Sequence, residues 1–530
     1  MYPLCQRPSN PVTANRCCAG SHTEVVECTA RESFKLSHMI AAAHNILPAA
    51  STSEEGISKM KYKHALALYP YFRDSTSTMG LFPPTGLEYI ATNMRDLVGE
   101  VTLMDLRYEK EYQSADALSD FIRRNGIDLL CISIAWSSQF KAICRFISEL
   151  PDEITTVVGG HKATEDVEFL FERCPNIDLI VRGEGEEAIR EIVKGDSLET
   201  IQGLSYRKDG AVVHNKNRSL PDIGRIAFPD RSLRRHAYHW IQNGVKVTNL
   251  TFDTVLTSRG CPFKCKFCTF SLNPLGQKRT YTERPLESVV DELKSVSADV
   301  VLFSDDNFFT NPARSKKLCD LIIENGIRKR FVVQTRIEIA SDEVLLEKAE
   351  RAGFKIFLVG IESPHDRILK QINKGFTQQQ VRDAFKVLNR RNFYIHGYFI
   401  YGNIGETEEE MVYIAQFAKE LKLDSITFQK LRVEKYSPLK EMVDNTPGYH
   451  YDSAGGAVYS DLHSRKDLKR IRDRIKFKFY DFKQIVRIAR KAHRARLFTR
   501  SDLLHALAAL PKVLWGLRAR ELEKRICSGA

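Results

Sequence analysis

Three cysteines in the segment SRGCPFKCKFCTF, residues 258–270, have the spacing that most directly indicates chemistry in this sequence. Cys261, Cys265 and Cys268 follow a C-x3-C-x2-C pattern, and thiolates gathered this closely usually hold a metal. Three ligands leave one iron of a 4Fe–4S cluster without a protein ligand, so that iron can bind a substrate or cofactor. Structural zinc needs a fourth ligand, and no Cys or His follows within the next 30 residues. The spacing predicts an iron–sulfur cluster rather than zinc.

The cysteine loop follows the first strand of a strand–helix series in the second half of the chain. Further strand segments are VVLFSDDNFF, FVVQTRIEI, FKIFLVGIES, FYIHGYFIYG and SITFQKLRV, each separated by a stretch of helix length. Six strands are fewer than the eight of a closed (β/α)8 barrel, so the pattern predicts a partial barrel. The carboxyl ends of barrel strands carry the site in such folds. The polar residues at these ends are Asp305, Asp306, Arg336, Glu362, Ser363 and Gly402.

The first half of the chain has the alternating strand–helix rhythm of a parallel, doubly wound sheet from residue 64 to about residue 194. Two of its strands end in glycines, in VVGGHKATE and VRGEGEEA, and ligands of such sheets bind beyond the carboxyl ends of the strands. Glycine allows the backbone to approach a large ligand closely. The alternative is that these glycines serve only tight strand-to-helix turns, which occur in any α/β protein.

Length, cysteine usage and charge limit the classes of protein that fit. A chain of 530 residues indicates two or three domains, and its 12 scattered cysteines with no hydrophobic signal segment favour a reducing, cytoplasmic setting. The sequence contains no run of about 18 uncharged apolar residues, so no membrane-spanning helix is predicted. Residues 465–530 contain 20 Lys and Arg against 6 Asp and Glu, whereas the whole chain carries +12. The excess positive charge therefore lies in this C-terminal segment. This distribution argues against nucleic-acid binding by the rest of the chain and indicates a basic tail.

Five regions are expected along the chain. They are an extension without regular structure (1–59), a doubly wound domain (60–200), a linker (201–245), the partial barrel (246–440) and a basic helical region (441–530). The last region interleaves helical apolar spacing with Lys and Arg. This pattern is typical of a helix on an anionic membrane surface, and equally of a helical cap over the barrel with a solvated basic face.

The segment CPFKCKFC resembles the radical S-adenosylmethionine enzymes, whose three cysteines hold a 4Fe–4S cluster. The resemblance implies that Phe267 lies near the adenine of the cofactor, and that Asp305 and Asp306 contact the methionine amino group. It also implies that Glu362 and Ser363 lie near the ribose. YGNIGETEEE is similar to the family's adenine turn and points to Gly402, although Asn403 and Ile404 replace the usual residues. Arg336 is a candidate partner of the methionine carboxylate, or an ordinary surface ion pair.

Residues 60–230 resemble the cobalamin-binding domain found in one branch of that family. The Asp-x-His-x-x-Gly signature, whose histidine ligates cobalt, is absent, so His161 is not implied as a cobalt ligand. Trp136 is a candidate cap for the lower face of the corrin, or an ordinary core aromatic. The predicted cobalamin contacts are Ser133, Trp136, Gly159, Gly160, His161, Gly183, Glu184 and Gly185.

The resemblance implies a cobalamin-dependent C-methyltransferase that acts on an unactivated carbon of a small molecule. Family members such as hopanoid methylases suggest a lipid substrate and a peripheral position at an anionic membrane. A low-potential electron donor is implied as a partner, and nucleic acid is not. The alternative is an enzyme of the same architecture that performs cyclisation or rearrangement without methyl transfer. A third function, a non-catalytic electron-transfer module, is disfavoured because the segments after the cysteines resemble those that contact S-adenosylmethionine in the family.

Overall fold

The computed structural model describes residues 60–72, 81–242, 245–268, 272–434, 436–452 and 456–499, with single positions up to 508. The predicted extension of residues 1–59 lies outside the described residues. No helix in the described part is long and apolar enough to cross a bilayer.

A seven-stranded sheet forms the first part of the fold, in the order β2-β1-β3-β4-β5-β6-β7. Its first five strands are parallel, and the last two extend one edge in antiparallel fashion. The strand bounds are β1 His64–Tyr69, β2 Glu100–Asp105, β3 Leu129–Ser133, β4 Thr155–Gly159, β5 Leu179–Val181, β6 Leu204–Lys208 and β7 Ala211–His214. The helices of this part are α1 Thr85–Met94, α2 Ala115–Arg124, α3 Phe140–Ser148, α4 His161–Glu165, α5 Val167–Arg173 and α6 Glu186–Lys194. All six residues of β1 are buried, as expected for a parallel strand covered on both faces.

A second seven-stranded sheet has the order β16-β15-β14-β13-β12-β9-β8 and curls into a half-barrel. Six of its strands are parallel, and β8 pairs antiparallel with β9 at one edge. The strands are β8 Tyr238–Gln242, β9 Val245–Val255, β12 Val300–Phe303, β13 Arg330–Thr335, β14 Phe354–Glu362, β15 Tyr394–Tyr401 and β16 Ser425–Lys430. Between β9 and β12, β10 Ser258–Arg259 pairs with β11 Thr282–Glu283. The helices are α7 Leu286–Ser295, α8 Pro312–Glu324, α9 Glu343–Ala352, α10 Asp366–Gln371, α11 Gln378–Leu388 and α12 Glu408–Glu420. The predicted fold class and its six parallel barrel strands are confirmed.

The segment 201–245, predicted as a linker, is instead divided between the two sheets. Strands β6 and β7 complete the edge of the first sheet, and β8 begins the second. The sequence indicates short β-type segments here, but not that β6 pairs with both β5 and β7, because the partners of a strand depend on tertiary contacts.

The C-terminal region packs on the barrel through one side of its helices. It contains α13 Pro438–Asp444, the hairpin strands β17 Tyr449–Tyr451 and β18 Val458–Ser460, α14 Arg465–Phe479 and α15 Phe482–Arg494. In α14, Leu468, Ile471, Ile475 and Phe479 are buried in the same core as the barrel helices. Their spacing of three and four residues places them on one face. The predicted helical cap over the barrel is therefore present.

Candidate active site

Backbone contacts at the carboxyl end of β9 position the cysteine loop. Gly260, immediately before the first cysteine, has a φ of +87°, and a Cβ there would lie 2.5 Å from the carbonyl oxygen of Thr280. Only glycine tolerates both that left-handed backbone and that close approach. The antiparallel pairing of β10 with β11 brings Thr280 near, so the loop leaves the strand in one fixed direction.

The three cysteine sulfurs form a donor set that fits an iron–sulfur cluster better than a single ion. All three thiols are free; Cys265 is buried, and Cys261 and Cys268 are half-buried. Burial raises the pKa of the Cys261 thiol. Around one zinc ion, sulfurs would stand roughly 3.8 Å apart, given a Zn–S bond of about 2.3 Å. Among the described residues, the metal-capable groups whose ligand atoms lie within 4.8 Å of one another do not include these three.

The two aspartates after β12 occupy different places. Asp305 is fully buried, and its oxygens accept hydrogen bonds from Thr257 N–H (2.8 Å), Thr257 Oγ1 (2.6 Å) and Ser258 Oγ. Asp306 accepts a hydrogen bond from Gly260 N–H (2.8 Å), and burial raises its pKa to about 6. Asp305 thus holds the end of the first barrel strand instead of facing a ligand, whereas Asp306 stays at the rim beside the cysteine loop.

Arg336, Glu362 and Ser363 converge on the cysteine side of the rim, but their polar groups already have protein partners. Arg336 Nη1 donates to Cys265 Sγ (3.5 Å), and its Nη2 donates to Glu338 Oε1 (2.7 Å). Glu362 is paired with Lys374, and the hydroxyl of the fully buried Ser363 accepts from His365 N–H (3.2 Å). The structure therefore brings these residues to the cluster loop without offering a free carboxylate or guanidinium to the predicted methionine and ribose groups.

The turn after β15 contains the predicted adenine contact Gly402 and two buried side-chain oxygens. Gly402 has a φ of +75°, and its Cα faces Leu468 of α14, so it shapes the turn rather than lining an open space. Asn403 Oδ1 and Glu406 Oε1 are buried without a hydrogen-bond partner. Phe267 and Ile404 of this turn both pack against the same small apolar cluster. The contact of Gly402 and Phe267 with the adenine stays a prediction.

Two adjoining cavities open at the carboxyl ends of β3, β4 and β5. The smaller, of about 280 Å³, is lined by six predicted cobalamin contacts: Ser133, Gly159, Gly160, Gly183, Glu184 and Gly185. The larger, of about 1060 Å³, shares Ser133 and is also lined by Trp136 and His161. Gly160 has a φ of +104°, and a Cβ there would lie 2.7 Å from Ile134 O. The glycine-lined floor and the combined volume fit a corrin-sized ligand with its tail.

Trp136 and His161 lie in the larger cavity and not in the core. The Trp136 side chain is among the exposed large hydrophobic groups, at 56% exposure, which excludes the ordinary core aromatic. Tyr71 Oη donates to its carbonyl oxygen and accepts from its N–H, so the indole is presented from a fixed backbone. Burial lowers the pKa of His161, whose Nε2 lies 3.7 Å from Glu165 Oε1.

Ion pairs join the cysteine loop to the glycine turn after β5. Arg259 contacts Glu184 Oε2 (2.5 Å) and Glu186 Oε1 (2.6 Å), and Arg279 Nε donates to the other oxygen of Glu184 (2.7 Å). The carboxylate of Glu184 is therefore paired with arginines, although Glu184 is one of the residues that line the smaller cavity. Sequence reasoning did not find Arg259, because its two acidic partners lie more than 70 positions away along the chain.

Comparison with known proteins identifies the family. Residues 255–418 match the model of the radical SAM superfamily, and residues 76–193 match that of the B12 binding domain. An uncharacterized methyltransferase of Pyrococcus horikoshii is 30% identical over 357 residues, 65% of this chain and 75% of the relative. An anaerobic magnesium-protoporphyrin IX monomethyl ester cyclase of Synechocystis is 26% identical over 326 residues, 58% of this chain and 62% of the relative.

A solved structure shares the fold across both parts. The radical S-adenosylmethionine methyltransferase TsrM of Kitasatospora setae, solved with cobalamin and a 4Fe–4S cluster, has a TM-score of 0.60 and 20% identity, covering 75% of this chain and 82% of TsrM. The chain therefore belongs to the radical SAM superfamily, in the cobalamin-binding branch that includes methyltransferases, and it is an enzyme. The cofactors of this branch are those predicted above: a 4Fe–4S cluster, S-adenosylmethionine and cobalamin.

Proposed function

We propose that this enzyme transfers a methyl group to an unactivated carbon of a small molecule. The observation that carries the proposal is the continuity of the site. A small opening lined by Cys268 shares His161, Glu165 and Glu434 with the larger cavity, which in turn adjoins the glycine-lined cavity. The larger cavity has room for the corrin beside Ser133, Trp136 and His161, and for a substrate beside Arg432, Glu434 and Tyr451, nearer the cluster loop.

The bound cofactors supply reductive cleavage of S-adenosylmethionine at the cluster and a methyl group from cobalamin. The chain's own residues supply ligation, orientation and shelter from water. Cys261, Cys265 and Cys268 hold the cluster, and Phe267 and the turn at 402–406 bound the nucleoside pocket. The larger cavity combines Tyr69, Trp136 and Tyr451 with charged groups of both signs, a lining suited to a ligand with both apolar and polar surface.

The fate of S-adenosylmethionine tests the proposal. A methylase of this kind consumes two molecules per turnover, so 5′-deoxyadenosine and S-adenosylhomocysteine should form in equal amounts and only with cobalamin present. The triple variant C261A/C265A/C268A should lose the roughly four irons held per chain and form neither product. C319A is the matched control, because Cys319 is a fully buried core thiol elsewhere in the barrel.

Cyclisation without methyl transfer is the second candidate, favoured by the match to the protoporphyrin ester cyclase. Such an enzyme forms deoxyadenosine without matching homocysteine product. Turnover by protein free of cobalamin would refute the methylase and leave the cyclase.

We also propose that the outer side of α14 and α15 binds an anionic membrane. This corner surface consists of Lys476, Phe477, Lys478, Phe482, Lys483 and Ile485. Phe477 and Phe482 are 79% and 80% exposed, although aromatic rings are normally buried. The three lysines make no ion pair among the described residues. Apolar side chains surrounded by lysine are typical of surfaces that insert between anionic headgroups.

The location of the corner surface supports anchoring and not substrate entry. Tyr480, between the two phenylalanines, donates to Ile426 O (3.0 Å) and accepts from Ile426 N–H (3.1 Å) near the start of β16. The active-site rim lies at the opposite, carboxyl ends of the strands. Membrane attachment at the corner surface therefore does not require that the substrate is a lipid.

A further inference from the structure

The turn that follows α10, residues 372–374, lies directly against the cysteine loop. Lys266 N–H donates to Ile372 O (2.9 Å), and Asn373 Nδ2 donates to Lys264 O (2.8 Å). These two bonds hold the residues on either side of Cys265. Asn373 has a φ of +55°, a left-handed conformation that asparagine tolerates better than most residues.

Lys374, the last residue of this turn, is a buried cation under the cluster loop. It is 4% exposed, and its Nζ donates to Glu362 Oε1 at 3.0 Å. The same ammonium lies 5.6 Å from the ring centre of Phe267. A Cβ on Gly360 would lie 2.6 Å from Glu362 Oε1 and 3.1 Å from Lys374 Nζ, so that glycine provides the space for the pair.

Backbone strain at Glu362 indicates that the fold maintains this ion pair at an energetic cost. Glu362 has a φ of +71°, and the pairing of β14 with β15 shifts register at this position. A non-glycine residue in the left-handed region costs about 1–3 kcal/mol, which the surrounding contacts must offset. Such strain and such bulges are concentrated at functional sites.

Arg336 connects this turn to a cluster ligand. Its Nη2 donates to Lys374 O (2.6 Å), its Nη1 donates to Cys265 Sγ (3.5 Å), and its Cζ lies 3.7 Å from the ring centre of Phe263. The guanidinium is therefore fixed on three sides while it contacts the sulfur. Hydrogen bonds to cluster sulfurs and nearby charges set the reduction potential of an iron–sulfur centre.

We propose that Asn373 and Lys374 are positioning residues that hold the cysteine loop, and that the Lys374–Glu362 pair sets the reduction potential of the cluster bound there. The pair has no net charge. Loss of the lysine leaves a buried carboxylate, which disfavours the reduced and more negative cluster. Loss of the carboxylate charge leaves a buried ammonium with the opposite effect. The inference rests on the proposed cluster site.

Reduction potentials of K374M, E362Q, K374R and the double variant K374M/E362Q test the electrostatic part, measured on reconstituted protein without S-adenosylmethionine. We expect a more negative potential in K374M, a more positive one in E362Q, and values near wild type in K374R and the double variant. K370M, on an exposed lysine of α10, should leave the potential unchanged. Shifts of the same sign in K374M and E362Q, or no shift, would overturn the proposal. Loss of iron in K374M but not in K374R or K370M would support the holding role instead.

Hydrogen exchange of the metal-free protein tests the mechanical part. N373G removes the side-chain bond to Lys264 and keeps a residue that accepts a positive φ, so the Lys266 amide should exchange about 2- to 10-fold faster. N325A, which removes an asparagine–backbone bond from the exposed end of α8, is the control. An unchanged Lys266 amide refutes the holding role. Wild-type protein without iron refutes the cluster site, whereas four irons and insensitive potentials refute only the potential-setting role.

Discussion

Glu406 shows at the level of one residue how the fold controls charge in the turn after β15. Its carboxyl is 3% exposed, and its Oε2 accepts from Asn403 N–H (2.9 Å) and Asn403 Nδ2 (3.0 Å). Burial raises its pKa to about 7, and the two hydrogen bonds offset only part of that effect. The turn therefore binds a proton in the folded protein at a pH where the unfolded chain has lost it.

Stability should fall as pH rises because of this group. Its contribution is fully present below the unfolded pKa of about 4.5 and is lost as pH rises through about 7. A shift of this size corresponds to about 3 kcal/mol. As the pH of urea unfolding experiments rises from about 5 to 8, the free energy of unfolding should fall less for E406Q than for the wild type, because a glutamine keeps the acceptor without ionising. Parallel pH profiles for the two proteins would contradict the assigned pKa.

At the scale of elements, buried ion pairs hold the loop after β9 against the turn after β5. The side chain of Arg259 is 17% exposed and that of Glu186 is 7% exposed. The cysteine loop and the glycine turn therefore share a charged contact, although each belongs to a different sheet. Three side chains therefore join the cysteine loop to the glycine-lined cavity: Arg259, Glu184 and Glu186.

Breaking that contact from one side should be more damaging than removing both partners. R259M leaves the Glu186 carboxylate buried and unpaired, at a cost of about 3 kcal/mol in unfolding free energy. The double variant R259M/E186Q should recover part of that loss, which denaturant unfolding can measure as a double-mutant cycle. R123M is the control, because the exposed Arg123–Glu153 pair should contribute less than about 1 kcal/mol. Additive losses in the cycle would show that the contact does not couple the two elements.

At the scale of the whole molecule, the C-terminal helices have two different faces. The inner face of α14 completes the barrel core through Leu468, Ile471, Ile475 and Phe479. The corner surface on the outside leaves Phe477 and Phe482 exposed. Deletion of residues 465–530 would therefore disrupt the barrel as well as any membrane contact, and surface substitutions are the sharper test.

Vesicle sedimentation should separate the two roles. Wild-type protein is expected to bind vesicles containing phosphatidylserine at low salt and to be released at high salt. F477S/F482S should weaken binding by about 100-fold or more, since each buried phenylalanine contributes about 1.5–3 kcal/mol. V344S, at another exposed apolar residue on α9, should bind like wild type. If wild-type protein does not bind these vesicles at low salt, the membrane proposal is wrong and the C-terminal helices serve only as a cap over the barrel.

The sequence alone sufficed to predict the cluster ligands, the six parallel barrel strands and the glycine turns, and the structure contains the strands and the turns. Each of these is a local pattern: three thiols within eight positions, buried strands at regular spacing, and turns that need left-handed backbone. Such patterns can be recognised in a single sequence because the residues that form them are close together in the chain.

Only the tertiary structure decided which polar groups are open and which are already paired. In the structure, Asp305 accepts hydrogen bonds from Thr257 and Ser258, and Trp136 is exposed in a cavity. Glu362 is paired with Lys374, and Glu184 is paired with Arg259. Asp305 and Asp306 are adjacent in sequence, yet successive residues leaving a strand point to opposite sides, so one is buried and one reaches the rim. The partners that settle these roles are distant in the chain, and packing alone brings them together.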